Sequence, residues 1–307
     1  MKRKVFVSST TAAMLGTMVS GASAQPAGGG ALSVRPTIGG PLVTPNDSFF
    51  VYSQMRTPAQ QPVNVQIDGL VESATRYSES DLQNLPHVKH LWTFECFVNT
   101  AGGPLILTTG FEGVPLSALF QKVRLKPQAR SAIVETNDGH PPFLLPLTEL
   151  QRPDAMLVAA MGGNPASLEH GGAYTKLLIP GAGGNHGPKW VSRITLVSDD
   201  APEHPAPPMA GFLFPSPPEA IGSLAGVTLT GYAFAGPERV GAVELSTDGG
   251  ATYQRMPLPA QADPYLWMTW EVTWRPPQRG FYVLRVRARS MSGRKQDVPH
   301  VIAVEVR

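Results

Sequence analysis

Residues 91–100 read Leu-Trp-Thr-Phe-Glu-Cys-Phe-Val-Asn-Thr and contain Cys96, the only cysteine of the 307-residue chain. Residues 90–97 are predicted to form a strand that ends in a polar loop. A single thiol cannot form an intrachain disulfide. Cys96 is therefore a packing residue, a nucleophile or a metal ligand, and packing is the commonest role of a free cysteine.

The composition is that of a β-rich globular protein with a sizeable core. Hydrophobic residues make up 42% of the chain and charged residues 16%, with 31 glycines and 31 prolines. Frequent glycine and proline with modest charge indicates many turns and strands rather than a helical bundle. The net charge of +2 is too small to indicate a nucleic acid or an anionic membrane surface as partner.

Residues 1–24 are predicted to be an export signal peptide. Basic residues precede a mildly apolar stretch, and Ala22-Ser23-Ala24 fits the small-residue cleavage pattern. The apolar stretch is too short and too polar to span a bilayer, so no membrane span is expected after signal removal. The basic start is similar to a twin-arginine signal with lysine in place of one arginine, so that export route stays open. We expect a periplasmic protein.

Residues 41–200 are predicted to form a mixed α/β domain after a flexible lead-in at residues 25–40. Ser78 with Asp81 three residues later predicts a helix start, and Pro115 opens a second short helix. A brief helical turn is expected at 147–150. Alternating or continuous apolar patterns predict strands at 63–67, 90–97, 131–135, 155–161, 175–179 and 190–197.

Proline-dense residues 201–218 are predicted to be a linker. Beyond them, residues 219–307 contain alternating strands at short spacing and a hairpin signal, Thr-Asp-Gly-Gly, at 247–250. This pattern is typical of a small immunoglobulin-like β-sandwich. The expected fold class is therefore α+β, a mixed α/β domain followed by a sandwich.

Residues 170–191 are rich in glycine and contain Lys176 and Lys189. Glycine lets backbone N–H groups approach an anion closely, and the lysines add positive charge. The segment suits a phosphate-bearing cofactor, but it matches neither a P-loop nor a dinucleotide-binding fingerprint. A surface turn is the simpler alternative.

Other site chemistries have less support. His170 and His186 lack a third partner at characteristic spacing, which argues against zinc. The chain has no Gly-x-Ser-x-Gly motif, so a serine-hydrolase triad has no local support. A cysteine hydrolase stays open, because seven histidines offer candidate bases.

Five segments in order resemble the sulfite oxidase family of molybdenum enzymes, and together they span most of the chain after the signal. Each is weak alone, but five in order, with the only cysteine in place, favour function over packing for Cys96. The Cys-x-x-Asn-Thr-Ala-Gly motif is most similar to the sulfane dehydrogenase branch. The segments are 45–51, 94–99, 113–119, 176–194 and 243–250.

The resemblance implies a molybdopterin-binding domain of sulfite oxidase type and a molybdenum–molybdopterin cofactor, with Cys96 as the thiolate ligand of the metal. Thiolate is a suitable ligand for such a metal, whose charge would ionise the thiol. The implied cofactor contacts are Phe50, Val51, Tyr52, Ser53, Gln54, Asn99, His170, Gly171, Lys176, Gly187, Pro188 and Lys189. The implied substrate pocket consists of Tyr52, Thr100 and His186.

The sequence departs from the family pattern where sulfite would bind. Tyr52 replaces an arginine, Gln54 replaces a pterin-contacting histidine, and no arginine closely follows Asn99. A dianion needs several positive donors, so these changes argue against sulfite as the substrate. The stretch from Cys96 to Gly113 is also short, so one wall of the pocket is expected to be trimmed.

The resulting hypothesis is a periplasmic molybdopterin oxidoreductase that transfers an oxygen atom between water and a small sulfur compound. The chain has no Cys-x-x-Cys-His motif, so covalent haem is not expected and a separate c-type cytochrome would take the electrons. The resemblance also implies a homodimer formed through the sandwich. The alternative is a non-catalytic binding or assembly protein that retains the fold.

Overall fold

The computed structural model describes residues 31–34, 43–214, 221–256, 258–261 and 263–307. The predicted export signal, residues 1–24, lies outside the described residues, as does the end of the predicted linker, residues 215–218. Among the described residues, no helix is long and apolar enough to cross a membrane.

The chain folds into an N-terminal domain of two sheets and a C-terminal pair of sheets. Strand β1 (Ala31–Val34) joins the C-terminal pair. The N-terminal strands are β2 (Asn64–Gly69), β3 (Thr75–Ser78), β4 (Val88–Glu95), β5 (Ile106–Pro115), β6 (Ser131–Thr136), β7 (Phe143–Pro146), β8 (Met156–Met161), β9 (Asn164–Pro165), β10 (Lys176–Leu178) and β11 (Val191–Val197). The helices are α1 (Glu79–Gln83), α2 (Leu116–Val123) and α3 (Leu147–Leu150). Because these helices are short, the fold is mostly β, and the α+β expectation is only partly met.

The N-terminal domain is built on two sheets. One has the strand order β3-β2-β11-β6-β7, and the other has the order β10-β8-β5-β4 with β9 paired to β8. The main core contains buried side chains from both sheets and from α2. A second cluster, with Trp92, Leu107 and Met156, also packs on strands of the β10-β8-β5-β4 sheet. The strand that leads to Cys96 therefore belongs to a well-buried sheet.

The structure confirms the sequence signal at the start of α1. Ser78 is its N-cap: the Ser78 hydroxyl accepts a hydrogen bond from the Asp81 N–H at 3.3 Å. In return, the Ser78 N–H donates to a carboxylate oxygen of Asp81 at 2.8 Å. This reciprocal pair satisfies two backbone N–H groups at the start of the helix.

Strand β5 was not among the predicted strands. Gly110, Gly113 and Pro115 lie within it, and glycine and proline disfavour strand interiors. Pairing overrides that preference, because β5 pairs with β4 on one side and with β8 on the other.

The C-terminal part is a sandwich of two sheets, ordered β1-β17-β14-β12 and β13-β19-β18-β15-β16. Its strands are β12 (Met209–Phe214), β13 (Ile221–Gly222), β14 (Val227–Phe234), β15 (Val240–Ser246), β16 (Gln254–Met256), β17 (Met268–Arg275), β18 (Gly280–Ser290) and β19 (His300–Val306). Trp270 and Trp274 from one sheet share a core with Tyr282 and Leu284 from the other. The immunoglobulin-like topology stays a prediction.

Two segments predicted to be irregular contain strands. In the lead-in, residues 25–40, β1 pairs antiparallel with β17. In the linker, residues 201–218, β12 pairs with β14 and buries Ala210 and Phe212. Strand β12 is an apolar run that follows the proline-rich residues 201–208. Its side chains are buried because the strand pairs with β14 at the edge of the sheet. Each segment therefore contains a strand that the sequence patterns do not predict.

The sandwich also contacts the end of β4 and the loop that carries Cys96. The Tyr232 hydroxyl accepts a hydrogen bond from the Gly102 N–H at 3.1 Å. Within β4, the Thr93 hydroxyl accepts one from the Trp267 N–H at 2.9 Å. The loop that carries Cys96, which we call the cysteine loop, is therefore held by contacts with both the N-terminal domain and the sandwich.

Candidate functional site

A cavity of about 460 Å³ lies at the end of β4. Its volume is within the range of small-molecule and cofactor sites. Segments that are far apart in sequence meet there, as a cofactor site requires. The predicted site residues in its wall are Phe50, Tyr52, Ser53, Gln54, Cys96, His170, Lys176, His186, Gly187, Pro188 and Lys189.

Cys96 is the first residue after β4 and is only 6% exposed. Its N–H donates to the Leu105 carbonyl, and its carbonyl accepts from the Asn99 N–H, both at 2.9 Å. Burial raises the pKa of the Cys96 thiol, although the charges of Lys189 and Lys176 act in the opposite direction. The thiol is thus held in its neutral form, and a bound metal cation would remove its proton.

Gly184 packs directly on the backbone at Cys96. A Cβ atom at position 184 would lie 2.8 Å from the Glu95 carbonyl oxygen and 2.9 Å from Cys96 Cα. Both are backbone atoms, which cannot rotate away as a side chain can. Glycine at this position therefore lets the turn at 184–186 close against the cysteine loop.

Lys176 is a buried lysine that has no ion-pair partner among the described residues. Its amino group lies 4.6 Å from the centroid of the Phe94 ring, and Phe94 stacks on Phe50 at 6.0 Å. In the described part of the chain, no carboxylate or other hydrogen-bond acceptor reaches this amino group. Burial, followed by the charge of Lys189, lowers the pKa of Lys176 to about 7. An unpaired buried ammonium group is costly, so this position favours an anionic ligand.

Lys189 lies close to Lys176 and is partly satisfied by the backbone. Its amino group donates to the Tyr52 carbonyl at 2.7 Å and to the Glu169 carbonyl at 2.9 Å. Burial lowers the pKa of Lys189 to about 8. A Cβ atom at Gly171, where φ is +115°, would lie 3.0 Å from both lysine side chains. Gly171 thus makes room for two adjacent lysine stems.

His170 adds an imidazole to the same wall. The Ser167 hydroxyl bonds to its Nδ1 at 2.8 Å. Its Nε2 is buried, and no partner in the described residues meets hydrogen-bonding geometry. Burial, together with the charges of Lys176 and Lys189, lowers the pKa of His170. A backbone contact with Phe50 acts in the opposite direction, so His170 contributes a neutral, buried ring to the wall.

Four predicted residues do not line the cavity: Val51, Asn99, Thr100 and Gly171. Asn99 instead closes its own loop, because its side-chain oxygen accepts from the Leu105 N–H at 3.0 Å. Gly171 lies behind the two lysines. These four residues therefore have no direct contact with the cavity. A family motif identifies a segment of the chain, and it does not show which side chains of that segment reach the ligand.

The cavity wall also contains residues that sequence reasoning missed. Phe94, Asp138, His140 and His204 line it, and Glu149 bonds to His186 behind it. Phe94 was within reach of prediction, because it lies two residues before Cys96. Glu149 and His186 are 37 positions apart. No local pattern indicates that such a pair will meet.

Residues 54–205 match the family model described as the oxidoreductase molybdopterin binding domain. The chain belongs to the sulfite oxidase family of molybdopterin-dependent oxidoreductases, and the resemblance carried by its cysteine and lysine segments is confirmed. By this membership it is a molybdenum oxidoreductase.

The fold is similar to one seen in the crystal structure of the sulfane dehydrogenase SoxCD from Paracoccus pantotrophus. The match has a TM-score of 0.71 at 22% sequence identity, and it covers 84% of this chain and 75% of that chain. At this level of identity the likeness concerns the fold. A comparison with curated proteins finds no match.

The cavity residues fit a molybdenum cofactor carried by a phosphate-bearing pterin. Cys96 supplies a soft sulfur donor at the wall. Lys176 supplies a buried amino group that lacks a hydrogen-bond partner in the described residues, and His170 supplies a neutral imidazole ring. The stacked rings of Phe50 and Phe94 provide an apolar face beside these groups.

Proposed function

We propose that this protein is a periplasmic molybdopterin oxidoreductase that acts on a small sulfur compound. The observation that carries the proposal is the convergence of Cys96, Lys176 and Lys189 on one cavity. The cavity belongs largely to the segment that matches the molybdopterin-binding family model. When bound, the cofactor would supply two-electron oxygen-atom transfer between water and the substrate.

The side chains of the cavity have distinct roles in this proposal. Cys96 holds the metal through its sulfur, and Lys176 and Lys189 neutralise the phosphate of the pterin. His170 contacts the cofactor with its neutral ring. Burial excludes water around these groups, which strengthens each charged contact.

The thiol chemistry favours a metal ligand over a hydrolytic nucleophile. A cysteine hydrolase needs a thiol whose pKa is lowered by its surroundings. Burial instead raises the pKa of Cys96. A metal ion provides the positive charge that the thiolate requires.

The substrate carries less charge than sulfite in this proposal. Among the described residues that line the cavity there is no arginine. Lys176 and Lys189 are committed to the cofactor phosphate, and much of the remaining wall is apolar, with Phe97, Leu107 and Met161. The fold match to a sulfane dehydrogenase supports a reduced sulfur compound as the substrate class.

The electrons leave to a separate c-type cytochrome in this proposal, because the sequence lacks a covalent haem motif. The N-terminal signal pattern supports export to the periplasm. Both statements concern chemistry outside the described cavity. They are tested by cell fractionation and by reduction of a cytochrome c in the presence of substrate.

We further propose that the sandwich is immunoglobulin-like and pairs two copies of the chain. Phe281 and Val301 lie on neighbouring strands, with Phe281 opposite Glu305 and Val301 opposite Arg285, which places both on the same face. They are 65% and 43% exposed, although both are apolar. An exposed apolar face of this kind suits an interface between copies.

Molybdenum and pterin content tests the catalytic proposal. Protein purified from a molybdopterin-competent host should contain near-stoichiometric molybdenum and should give a Mo(V) resonance after partial reduction. Cys96→Ser should lose turnover of sulfite, thiosulfate or dimethyl sulfide with ferricyanide as acceptor, whereas Met291→Ser, on an exposed methionine, should keep it. Folded wild-type protein without molybdenum, or full turnover in Cys96→Ser, would overturn the proposal.

A further inference from the structure

A buried carboxylate lies directly behind the cavity wall. Glu149, in α3, is 6% exposed. One of its oxygens lies 2.6 Å from His186 Nδ1. The other accepts a hydrogen bond from the backbone N–H of His204 at 3.3 Å. Both oxygens are therefore engaged, which fixes the orientation of the carboxylate.

His186 is held between this carboxylate and the cavity. It is 3% exposed, and it lines the cavity on the turn that begins at Gly184. Because a carboxylate only accepts hydrogen bonds, the contact with Glu149 means that Nδ1 of the neutral His186 ring carries the proton and donates a hydrogen bond to Glu149. Nε2 has no hydrogen-bond partner within the described part of the chain. In the neutral ring, Nε2 is then a proton acceptor at the cavity wall.

A second histidine, His204, packs against His186 and is exposed to solvent. The His204 ring lies edge-on to the His186 ring, with centroids 4.5 Å apart. His204 is exposed, and its Nδ1 lies 3.1 Å from the Pro202 carbonyl. The described residues contain no group of three or more His, Cys, Asp and Glu side chains arranged to hold a metal ion. This cluster is thus a hydrogen-bonded pair with a solvent-facing neighbour.

We propose that His186 exchanges protons with water or substrate in the cavity through Nε2, that Glu149 positions it, and that His204 connects it to solvent. This inference rests on the proposed function. When a substrate X takes up an oxygen atom from water, X and H₂O give XO, two protons and two electrons, and the oxidised cytochrome is the oxidant. The two electrons pass singly to two equivalents of the oxidised cytochrome. His186 takes up one proton for release to solvent, and the other proton passes directly to water.

The charges around His186 support a role in proton transfer. Glu149 is the anion in direct contact, and His204 is the neighbouring titratable ring. Two cations line the same cavity, and a free imidazolium would be repelled by them. Glu149 places a negative charge 2.6 Å from the ring, which offsets that repulsion. The other charged or titratable groups in the cavity wall are Tyr52, Cys96, Asp138, His140, His170, Lys176 and Lys189.

Nitrogen-15 NMR of histidine-labelled protein tests the geometry without turnover. Neutral His186 in the wild type should show a protonated Nδ1 and an unprotonated Nε2. Glu149→Ala should lose this preference, and Glu149→Gln, which keeps the side-chain size, serves if Glu149→Ala does not fold. A wild-type signal with the proton on Nε2 would overturn the inference, whether or not molybdenum is bound.

Turnover per bound molybdenum tests the role. His186→Gln should reduce turnover about 100-fold or more, in the range seen for general acid–base groups. Glu149→Gln should reduce it about 10-fold, as for other positioning residues. Both should change the pH profile and the solvent deuterium isotope effect, with molybdenum content unchanged.

His87→Gln is the matched control. His87 is a partly buried histidine that bonds to the Leu85 carbonyl and the Tyr174 hydroxyl, and it does not line the cavity. The His87→Gln variant should have the same turnover, pH profile and solvent isotope effect as the wild type. Loaded His186→Gln protein with wild-type turnover and isotope effect would overturn the inference alone, whereas wild-type protein without molybdenum would overturn the proposed function.

Discussion

The amino group of Lys176 lies 4.6 Å from the ring centroid of Phe94, and among the described residues it has no hydrogen-bond or ion-pair partner. A cation–π contact compensates part of the cost of burying a charge, but less than a carboxylate or phosphate would. The cofactor-free protein is therefore poised to bind an anion at this lysine.

Lys176→Met should stabilise the cofactor-free protein at low pH. Burial lowers the pKa of Lys176 to about 7, from 10.5 in the unfolded chain. Between these values the unfolded state binds more protons, so wild-type stability should rise with pH from about 7 towards 10.5. Urea denaturation should show the variant more stable by a few kcal/mol at pH 6, with the difference shrinking by pH 9.

Lys122→Met, on an exposed lysine of α2, is the control for this series and should show no such pH dependence. In a molybdopterin-competent host, Lys176→Met should instead lose most of its bound pterin, because the phosphate loses its buried cation. Full pterin retention in Lys176→Met would contradict the assignment of this lysine to the cofactor.

Gly184→Ala should disrupt the cysteine loop. The added Cβ would meet the Glu95 carbonyl and Cys96 Cα at under 3.0 Å, so the backbone must shift. Thermal unfolding should show a loss of about 1–3 kcal/mol, typical of overpacking, and molybdenum content should fall. Gly110→Ala, where an added Cβ meets nothing within 4 Å, should keep its molybdenum. Equal loading of both variants would contradict this account.

The sequence predicts the elements around the site better than the side chains within it. Cys96, Lys176 and Lys189 reach the cavity because each lies in a motif whose residue type carries the chemistry. Asn99 lies in the same motif, yet it is used to close a loop. The role of Glu149 could not be predicted, because a single acidic residue in an apolar run gives no indication of a partner 37 positions away.

The same limit holds for the fold. The N-cap at Ser78 depends on residues within one turn, and it was predicted correctly. β5 and β12 form because neighbouring strands pair with them, and no local pattern contains that information. Features that depend on neighbouring residues can be predicted from the sequence, whereas strands that form by pairing with distant segments cannot.

Ser78→Ala should destabilise the N-terminal domain through the start of α1. The Ser78 hydroxyl accepts the Asp81 N–H, and removing an N-cap side chain typically costs about 1 kcal/mol. Chemical denaturation measures the loss. Ser73→Ala, on a nearby exposed serine outside the helix, should change stability by much less. Equal effects of the two changes would contradict the capping assignment.

Phe281→Ser combined with Val301→Ser should convert a dimer into a monomer. Both apolar side chains are exposed on one face of the sandwich, so their removal weakens any interface formed there. Sedimentation velocity of wild type and variant measures the change. Met291→Ser, on an exposed methionine in the turn after β18, is the control. A double variant that stays dimeric would place the interface elsewhere, and a monomeric wild type would contradict the dimer.

X-ray absorption at the molybdenum edge tests most directly whether Cys96 is the metal ligand. Wild-type protein should show a sulfur neighbour of the metal that is lost in Cys96→Ser, with the pterin sulfurs retained in both. An identical sulfur shell in the two proteins would contradict the assignment on which the proposed site depends.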